Sequence, residues 1–287
     1  MCNGTVTESQ VPTRRVGVSG TIDLSDLELR LRERYRARGW SRQLWANDVS
    51  LLRRVCSRTG DPCFVTIDDM ESVILRANRQ GTRANYVARI KSLWSTMRDL
   101  DLVHTREDDK LAPVRKPRGL PRPLTVEQAK ILMTEAKLPE RHWFLLGCLA
   151  GLRAMEVSQV RGSDLEESPD GYVLRIPNGK GGTDLTIPAH PQVVEMIRSY
   201  GTLGRLWTLN PNKVSAYACA EMKRLGVEMK FHSCRHYFAT SALKASGGDL
   251  LVVRDLLRHS TVATSQVYAQ LEQGRTRSVV DLLAIPS

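Results

Sequence analysis

Apolar side chains recur at helical spacing through the first third of the chain. Leu27, Leu31 and Tyr35 fall at i, i+4 and i+8; Leu44, Val49, Leu52 and Val55 make a second stripe, and Tyr86, Ile90 and Leu93 another. Such stripes are the core-facing side of amphipathic helices. Polar cap residues and glycines punctuate them. Ser25 is expected to open a helix that Gly39 ends, Ser41 one that Gly60 ends, Thr66 one that Gly81 ends, and Thr82 a fourth. The opposite faces are rich in arginine, with Arg30, Arg32, Arg34, Arg36 and Arg38 on the first helix alone. The pattern predicts a basic helical module over 25–103. Residues 1–24 have no period, hold Pro12 and the Arg14-Arg15 pair, and are expected to be a flexible polar tail or a short basic arm.

The period breaks over 104–124. The stretch Ala112–Pro123 holds Pro113, Pro117, Pro121 and Pro123 with Arg115, Lys116, Arg118 and Arg122, and no acid. Proline stiffens such a linker into an extended form. Composition leaves two readings, a solvated linker or a strap lying along a phosphate backbone. A second region starts at Thr125, with Ile131, Leu132 and Ala136 on one face. The apolar run with Trp143, Phe144, Leu145, Leu146, Cys148, Leu149 and Leu152 predicts a core helix pair around Gly151. Residues 172–177 and 184–188 switch to strand character and are joined by Asn178-Gly-Lys180-Gly-Gly182, a hairpin with a glycine turn. Arg205-Leu-Trp207 is a candidate third strand, and helices resume around 190–200, 212–225 and 233–284. The expected fold class is mainly α with a small antiparallel β-sheet, in two domains, the second covering 125–287.

Composition narrows the partner. The formal net charge is +11, and arginine outnumbers lysine 32 to 10. A polyanion is the expected partner, nucleic acid before membrane. Arginine suits bidentate phosphate contact, although a GC-rich genome gives the same bias. The six cysteines are scattered, with no zinc-like spacing, so a reducing cytoplasm without a disulfide framework is expected. No apolar run approaches the roughly 18 residues of a membrane helix, and the first ten residues lack a signal-peptide plan.

The candidate chemistry is concentrated between Arg153 and Tyr268. Arg153 follows a glycine in an apolar context and must be paired; Glu156, three residues on, is its helical partner. A structural ion pair explains both. Lys180 sits at the hairpin tip, where it is either an exposed turn residue or a proton donor on a mobile finger. Its surroundings do not match a phosphate-binding loop. His232, Arg235 and His236 fall at i, i+3 and i+4 on one helix. Two histidines so spaced can bind zinc, but Arg235 between them repels a cation, and an anion site fits better. Tyr268 follows His259 by nine residues. By default it is a packing residue, since a phenol of pKa about 10 becomes a nucleophile only beside cations or a base.

Together these residues carry a resemblance. Gly-Leu-Arg153-x-x-Glu156, Gly-Lys180-Gly-Gly, His232-x-x-Arg235-His236 and His259 with Tyr268 nine residues later are similar to the motifs of the tyrosine recombinase (phage integrase) family, over essentially residues 25–287. The resemblance implies a helical core-binding domain and a catalytic domain that close as a clamp on double-stranded DNA with short inverted core sites. It implies Tyr268 as nucleophile, forming a 3′-phosphotyrosyl bond. Arg153 and Arg235 would hold the non-bridging oxygens as charge builds. Lys180 would be the general acid for the 5′-oxygen, His232 would assist proton transfer at Tyr268, and His259 would hydrogen-bond the phosphate. Glu156 and His236 would brace the site. No metal, ATP or other cofactor is expected, because the phosphotyrosine conserves the bond energy. Arg115, Lys116, Arg118, Arg122 and Arg258 are expected DNA contacts. Four protomers would pass through a Holliday junction, with the apolar tail 276–287 docking on a neighbouring protomer, and an accessory directionality factor fits the same scheme.

Two positions depart from the family pattern. Arg258 stands where glycine is usual before the third-motif histidine, and Cys234 where leucine is common. The 24 residues before Ser25 are too few for a separate arm-binding domain, so a two-domain integrase of phage or mobile-element type is expected. The alternatives are a Xer-like resolvase of chromosome or plasmid dimers, a type IB topoisomerase, and a DNA-binding regulator with an inactive site.

Overall fold

Asp23, in extended conformation, accepts a hydrogen bond from the Ser25 amide at 3.1 Å and opens helix α1 (Leu24–Ala37), whose buried face is Leu27, Leu31 and Tyr35. Ser41 caps α2 (Arg42–Val55) through the Leu44 amide, and Thr66 opens α3 (Ile67–Leu75) with a reciprocal capping box to Asp69. A long helix, α4 (Gln80–Asp99), brings Ile90, Leu93, Trp94 and Met97 into the same core. The structure, a computed structural model, describes residues 23–116, 119–177, 185–259 and 261–269. It divides between Arg118 and Gly119 into two compact units.

Three boundaries in the first unit differ from the sequence expectation. The cap of α1 is Asp23 rather than Ser25. Gly81 does not end α3 but lies in the first turn of α4. No glycine is needed there, because Arg83 donates to the carbonyls of Ala77 and Leu75 and satisfies the end of α3. The first part of the expected linker is folded. Leu102, Val103 and Leu111 are buried, and a 3₁₀ turn covers Glu107–Lys110. Its Asp108 takes both terminal nitrogens of Arg98 at 2.5 and 3.0 Å, and Glu107 accepts from the Ile67 amide. Asp108 and Glu107, inside the expected linker, are thus partners of groups in the helical unit.

The second unit starts with α5 (Val126–Glu135), capped by a Thr125–Gln128 box, and the apolar α6 (Glu140–Leu149), then the short α7 (Ala154–Val157). An antiparallel sheet follows in the order β1 (Leu165–Ser168), β2 (Gly171–Ile176), β3 (Leu185–Pro188), with Leu174 opposite both Leu165 and Ile187. The mainly α class with a small antiparallel sheet is what the sequence predicted, but the third strand is β1. Arg205 makes only an isolated bridge to Arg161. Residues Leu-Glu-Glu-Ser of β1 carry no strand propensity, and pairing with β2 alone recruits them.

Helices α8 (Pro191–Ser199), α9 (Pro211–Arg224), α10 (His232–Ala245), α11 (Leu250–Leu256) and α12 (Gln266–Ala269) complete the described part. Helix α10 packs closely on α6. A Cβ on Gly147 would stand 2.7 Å from the Cβ of Cys234, so this contact tolerates no side chain at 147. Cys234 itself is wholly buried in that core, where a thiol fills less space than leucine.

Candidate active site

Two helix ends build the site. Helix α6 ends at Gly151, whose φ of +62° is readily adopted by glycine and whose added Cβ would meet the Phe238 ring at 2.5 Å. Helix α11 ends in a Schellman motif. The amide of Arg258 bonds the Asp255 carbonyl at 3.0 Å and that of His259 the Arg254 carbonyl at 2.9 Å, with Arg258 in the left-handed region at φ +56°. This is why the resemblance expects glycine at that position.

Arg235, in the first turn of α10, reaches between these two ends. Its guanidinium donates to the carbonyl of Gly151 and to that of Leu257, the cap of α11, and the residue is 1% exposed. The negative ends of two helices therefore hold one buried cation. Arg153 caps α7. Its amide donates to Glu156 Oε2 at 2.7 Å and its Nη1 to Glu156 Oε1 at 2.8 Å, which leaves the rest of the guanidinium half-exposed. Glu156 also accepts from Arg258 Nη2 at 2.9 Å. Two arginines thus bond one carboxylate, and the charge of a third, Arg235, bears on it.

The electrostatics follow from that imbalance. Burial, then Arg153 and Arg258, push Arg235 down to about 9. Burial works to raise Glu156, yet Arg258, the Arg153 amide and the neighbouring guanidinium charges hold it below the usual carboxylate range. His259 is pushed down to about 4 by burial and by Arg235, Arg153 and Arg258, and it shares a hydrogen bond of 2.9 Å with Ser265 Oγ. An anion placed here meets a cationic surface with little carboxylate to compete for it.

Tyr268 lies on α12, 3% exposed, its ring packed with Ala239, Leu243, Val253 and Leu257. Its hydroxyl stands 2.9 Å from His236 Nδ1. Burial raises the phenol above its ordinary value, while Arg235 and Arg153 pull it down. His236 is pushed down to about 4 by burial, His232 and Arg235, so at neutral pH the ring is uncharged, and in the tautomer protonated at Nε2 its Nδ1 accepts from the phenol. His232 packs edge-on against His236 at 4.6 Å between centroids, and burial together with Arg235 keeps it below its usual value. The imidazole hydrogen-bonded to Tyr268 in the structure is that of His236, with His232 packed behind it.

The structure brings Arg153, Glu156, His232, Arg235, His236, His259 and Tyr268 together. Lys180, Arg118 and the tail 276–287 lie outside the described residues. Arg258, an expected DNA contact, has a side chain 4% exposed and turned inward onto Glu156, Gly151 and Leu256. Arg115 and Lys116 are exposed in the first unit, Lys116 reaching Asn85 at 3.4 Å. Arg122 is exposed and, with Lys230, His232 and His236, lines a groove of about 660 Å³ beside the site. Sequence reasoning missed the Arg258–Glu156 pair and the carbonyl acceptors of Arg235. Neither has a local signal, because the partners are 102, 84 and 22 residues apart. Among the described residues, no group of three or more His, Cys, Asp or Glu side chains could hold a metal ion.

Comparison with known proteins extends this geometry. A model of the phage integrase family matches residues 122–275. A tyrosine recombinase XerC from Agrobacterium fabrum is 30% identical over 271 residues, covering 80% of this chain and 83% of that protein. In fold, the chain resembles a lambda integrase(75-356) dimer bound to a COC' core site, with TM-score 0.66 and 15% identity, covering 85% of this chain and 94% of that one. It also resembles a lambda integrase tetramer bound to a Holliday junction, with TM-score 0.64 and 14% identity, covering 84% and 78% of the two chains.

Proposed function

The chain belongs to the phage integrase family of tyrosine recombinases, and from that premise we propose that it cleaves and rejoins double-stranded DNA at specific sites through Tyr268. The observation that carries the reading is the placement of one phenol hydroxyl against a neutral imidazole and beside an excess of arginine charge. In the proposed step Tyr268 Oη forms a bond to the scissile phosphorus as its proton passes to His236 Nδ1. The P–O5′ bond breaks, and Lys180 donates the proton that makes the leaving 5′-hydroxyl. Arg153 and Arg235 offset the charge that builds on the non-bridging oxygens, and His259 hydrogen-bonds one of them. Binding of the phosphate raises His236, since a nearby anion favours its charged form. The base is therefore weak in free protein and stronger on DNA. Rejoining is the same exchange with a different 5′-hydroxyl as nucleophile.

The groove lined by Arg122, Lys230, His232 and His236 is the proposed path of the phosphate backbone. Four protomers on two inverted core sites, a Holliday junction intermediate, and the tail 276–287 seated on a neighbouring protomer belong to the same proposal. Integration or excision of phage or mobile-element DNA is the main reading. Resolution of chromosome or plasmid dimers is the second, favoured by the XerC relative that covers most of the chain. Recombination between two sites on one plasmid, compared with joining of a circle to a second replicon, separates the two.

The deciding experiment presents a duplex nicked beside the scissile phosphate, its site selected from randomised DNA by binding, to wild type and to Tyr268→Phe. A covalent protein–DNA adduct in wild type and none in the variant is expected. Tight binding with no adduct in either would overturn the proposal in favour of a DNA-binding regulator.

A further inference from the structure

Arg258 occupies a backbone conformation that glycine adopts readily and other residues seldom do. A surface arginine would gain nothing from that strain. This one is buried and spends its donors inside the protein: Nη2 on Glu156 Oε2 at 2.9 Å and on the Gly151 carbonyl at 3.4 Å, Nη1 on the Leu256 carbonyl at 3.3 Å. Glu156 is the partner of Arg153, and Gly151 the partner of Arg235. Arg258 therefore touches the anchor of each arginine assigned to the phosphate, and its hydrogen bonds go to neither Tyr268 nor the residues lining the groove.

We propose that Arg258 is a positioning residue for DNA cleavage, tying the Glu156–Arg153 pair to the Gly151–Arg235 pair so that the two guanidinium groups hold a phosphate in one fixed geometry. The inference rests on the recombinase reading above. Its physical basis is the sharing of Glu156. With Arg258 present, the two carboxylate oxygens are separately engaged, Oε1 by Arg153 Nη1 and Oε2 by Arg258 and the Arg153 amide. The groups whose charge bears on Glu156 are Arg153 on α7, Arg235 and His232 on α10, and Arg258 after α11. Arg258 is the strongest of these in keeping the buried carboxyl ionised. Without it, Oε2 keeps only the Arg153 amide, Glu156 takes up a proton at higher pH than in wild type, and Arg153 is held less firmly.

The test is R258G, which suits the φ of +56° and so removes the guanidinium without disturbing the chain path. Adduct formation on the nicked duplex is followed from pH 5.5 to 8.5, with a thermal melt of each protein as a folding control. R258G is expected to melt at or near the wild-type temperature and to react several-fold more slowly than wild type, with the deficit larger at pH 5.5 than at pH 8.5. Its acid limb is thus displaced upward. Millimolar guanidinium is expected to restore the rate near pH 6 by filling the space, where sodium at equal ionic strength does not. R258K, which keeps the charge with fewer donors, should fall between. If wild type and R258G give one rate and one pH profile, Arg258 is a packing residue and the inference is overturned while the recombinase reading stands. If wild type itself forms no adduct, both are overturned. A uniform loss at every pH, without guanidinium rescue, would also sink it, since that is what a purely structural defect gives.

Discussion

The two units of this chain bury arginine in opposite ways. In the helical unit the partly buried Arg98 and Arg89 each meet a carboxylate of their own, Asp108 and Asp48, and the exposed Arg58 closes on the buried Asp69. In the second unit Arg153, Arg235 and Arg258 have Glu156 and backbone carbonyls between them. Pairs of the first kind are closed, and adding an anion to them would cost a displaced carboxylate. The second arrangement is left with net positive charge and helix ends that hold it in place. Charge that is neutralised holds a fold together; charge left in excess is available to a ligand.

The largest test of that contrast is Arg235→Ala. It removes a donor proposed to act where charge develops, and the adduct rate should fall by about 10³-fold, or about 4 kcal/mol. Guanidinium binding in the vacated space can restore part of it. A fall of less than about fivefold would make Arg235 structural, like the arginines of the first unit. Next comes Arg98→Met. It leaves Asp108 buried without its cation and should cost about 3 kcal/mol of unfolding free energy in urea, with the adduct rate of the folded protein unchanged.

Acid should separate the units more gently. His236 and His259 are pushed to about 4, well below an unfolded histidine. The unfolded chain then binds more protons between about pH 6.5 and 4. Stability of the second unit is therefore full above about pH 6.5 and declines as pH falls toward 4. In the first unit Asp69 is held far below the carboxylate range by its hydrogen bond with Arg58, despite the opposing effect of burial. Its contribution persists until pH drops below about 4 and is lost only beyond that. Peptide-resolved hydrogen exchange at pH 5 and 7, corrected for intrinsic rates, should show the second unit loosening first. Inorganic phosphate should reverse that loosening, and simultaneous loosening of both units would remove the distinction. The smallest effect is expected from Thr66→Ala, which deletes one cap in the first unit and should cost about 1 kcal/mol without touching the adduct rate.

Much of this was legible in the sequence. The stripes through Leu27, Leu31 and Tyr35, the caps Ser41 and Thr66, the β2–β3 hairpin and the helical spacing of His232, Arg235 and His236 are all local features. Local hydrogen bonds and periodicity depend on residues three or four apart, so the sequence displays them directly. The roles of the candidate residues were implied by the resemblance of the motifs from Arg153 to Tyr268, taken together, to those of the tyrosine recombinase family.

What tertiary structure alone decided lies where groups distant in the chain meet. It chose β1 rather than the 205–207 stretch as third strand, because a ladder partner outweighs weak propensity. It folded 104–111 onto the helical unit because Arg98 and the Ile67 amide needed Asp108 and Glu107. It gave the contact with Tyr268 to His236 instead of His232, and turned Arg258 inward onto Glu156. In each case the deciding quantity is the cost of a buried polar group without a partner. The sequence determines which groups carry that need, and only the folded chain determines which neighbour meets it.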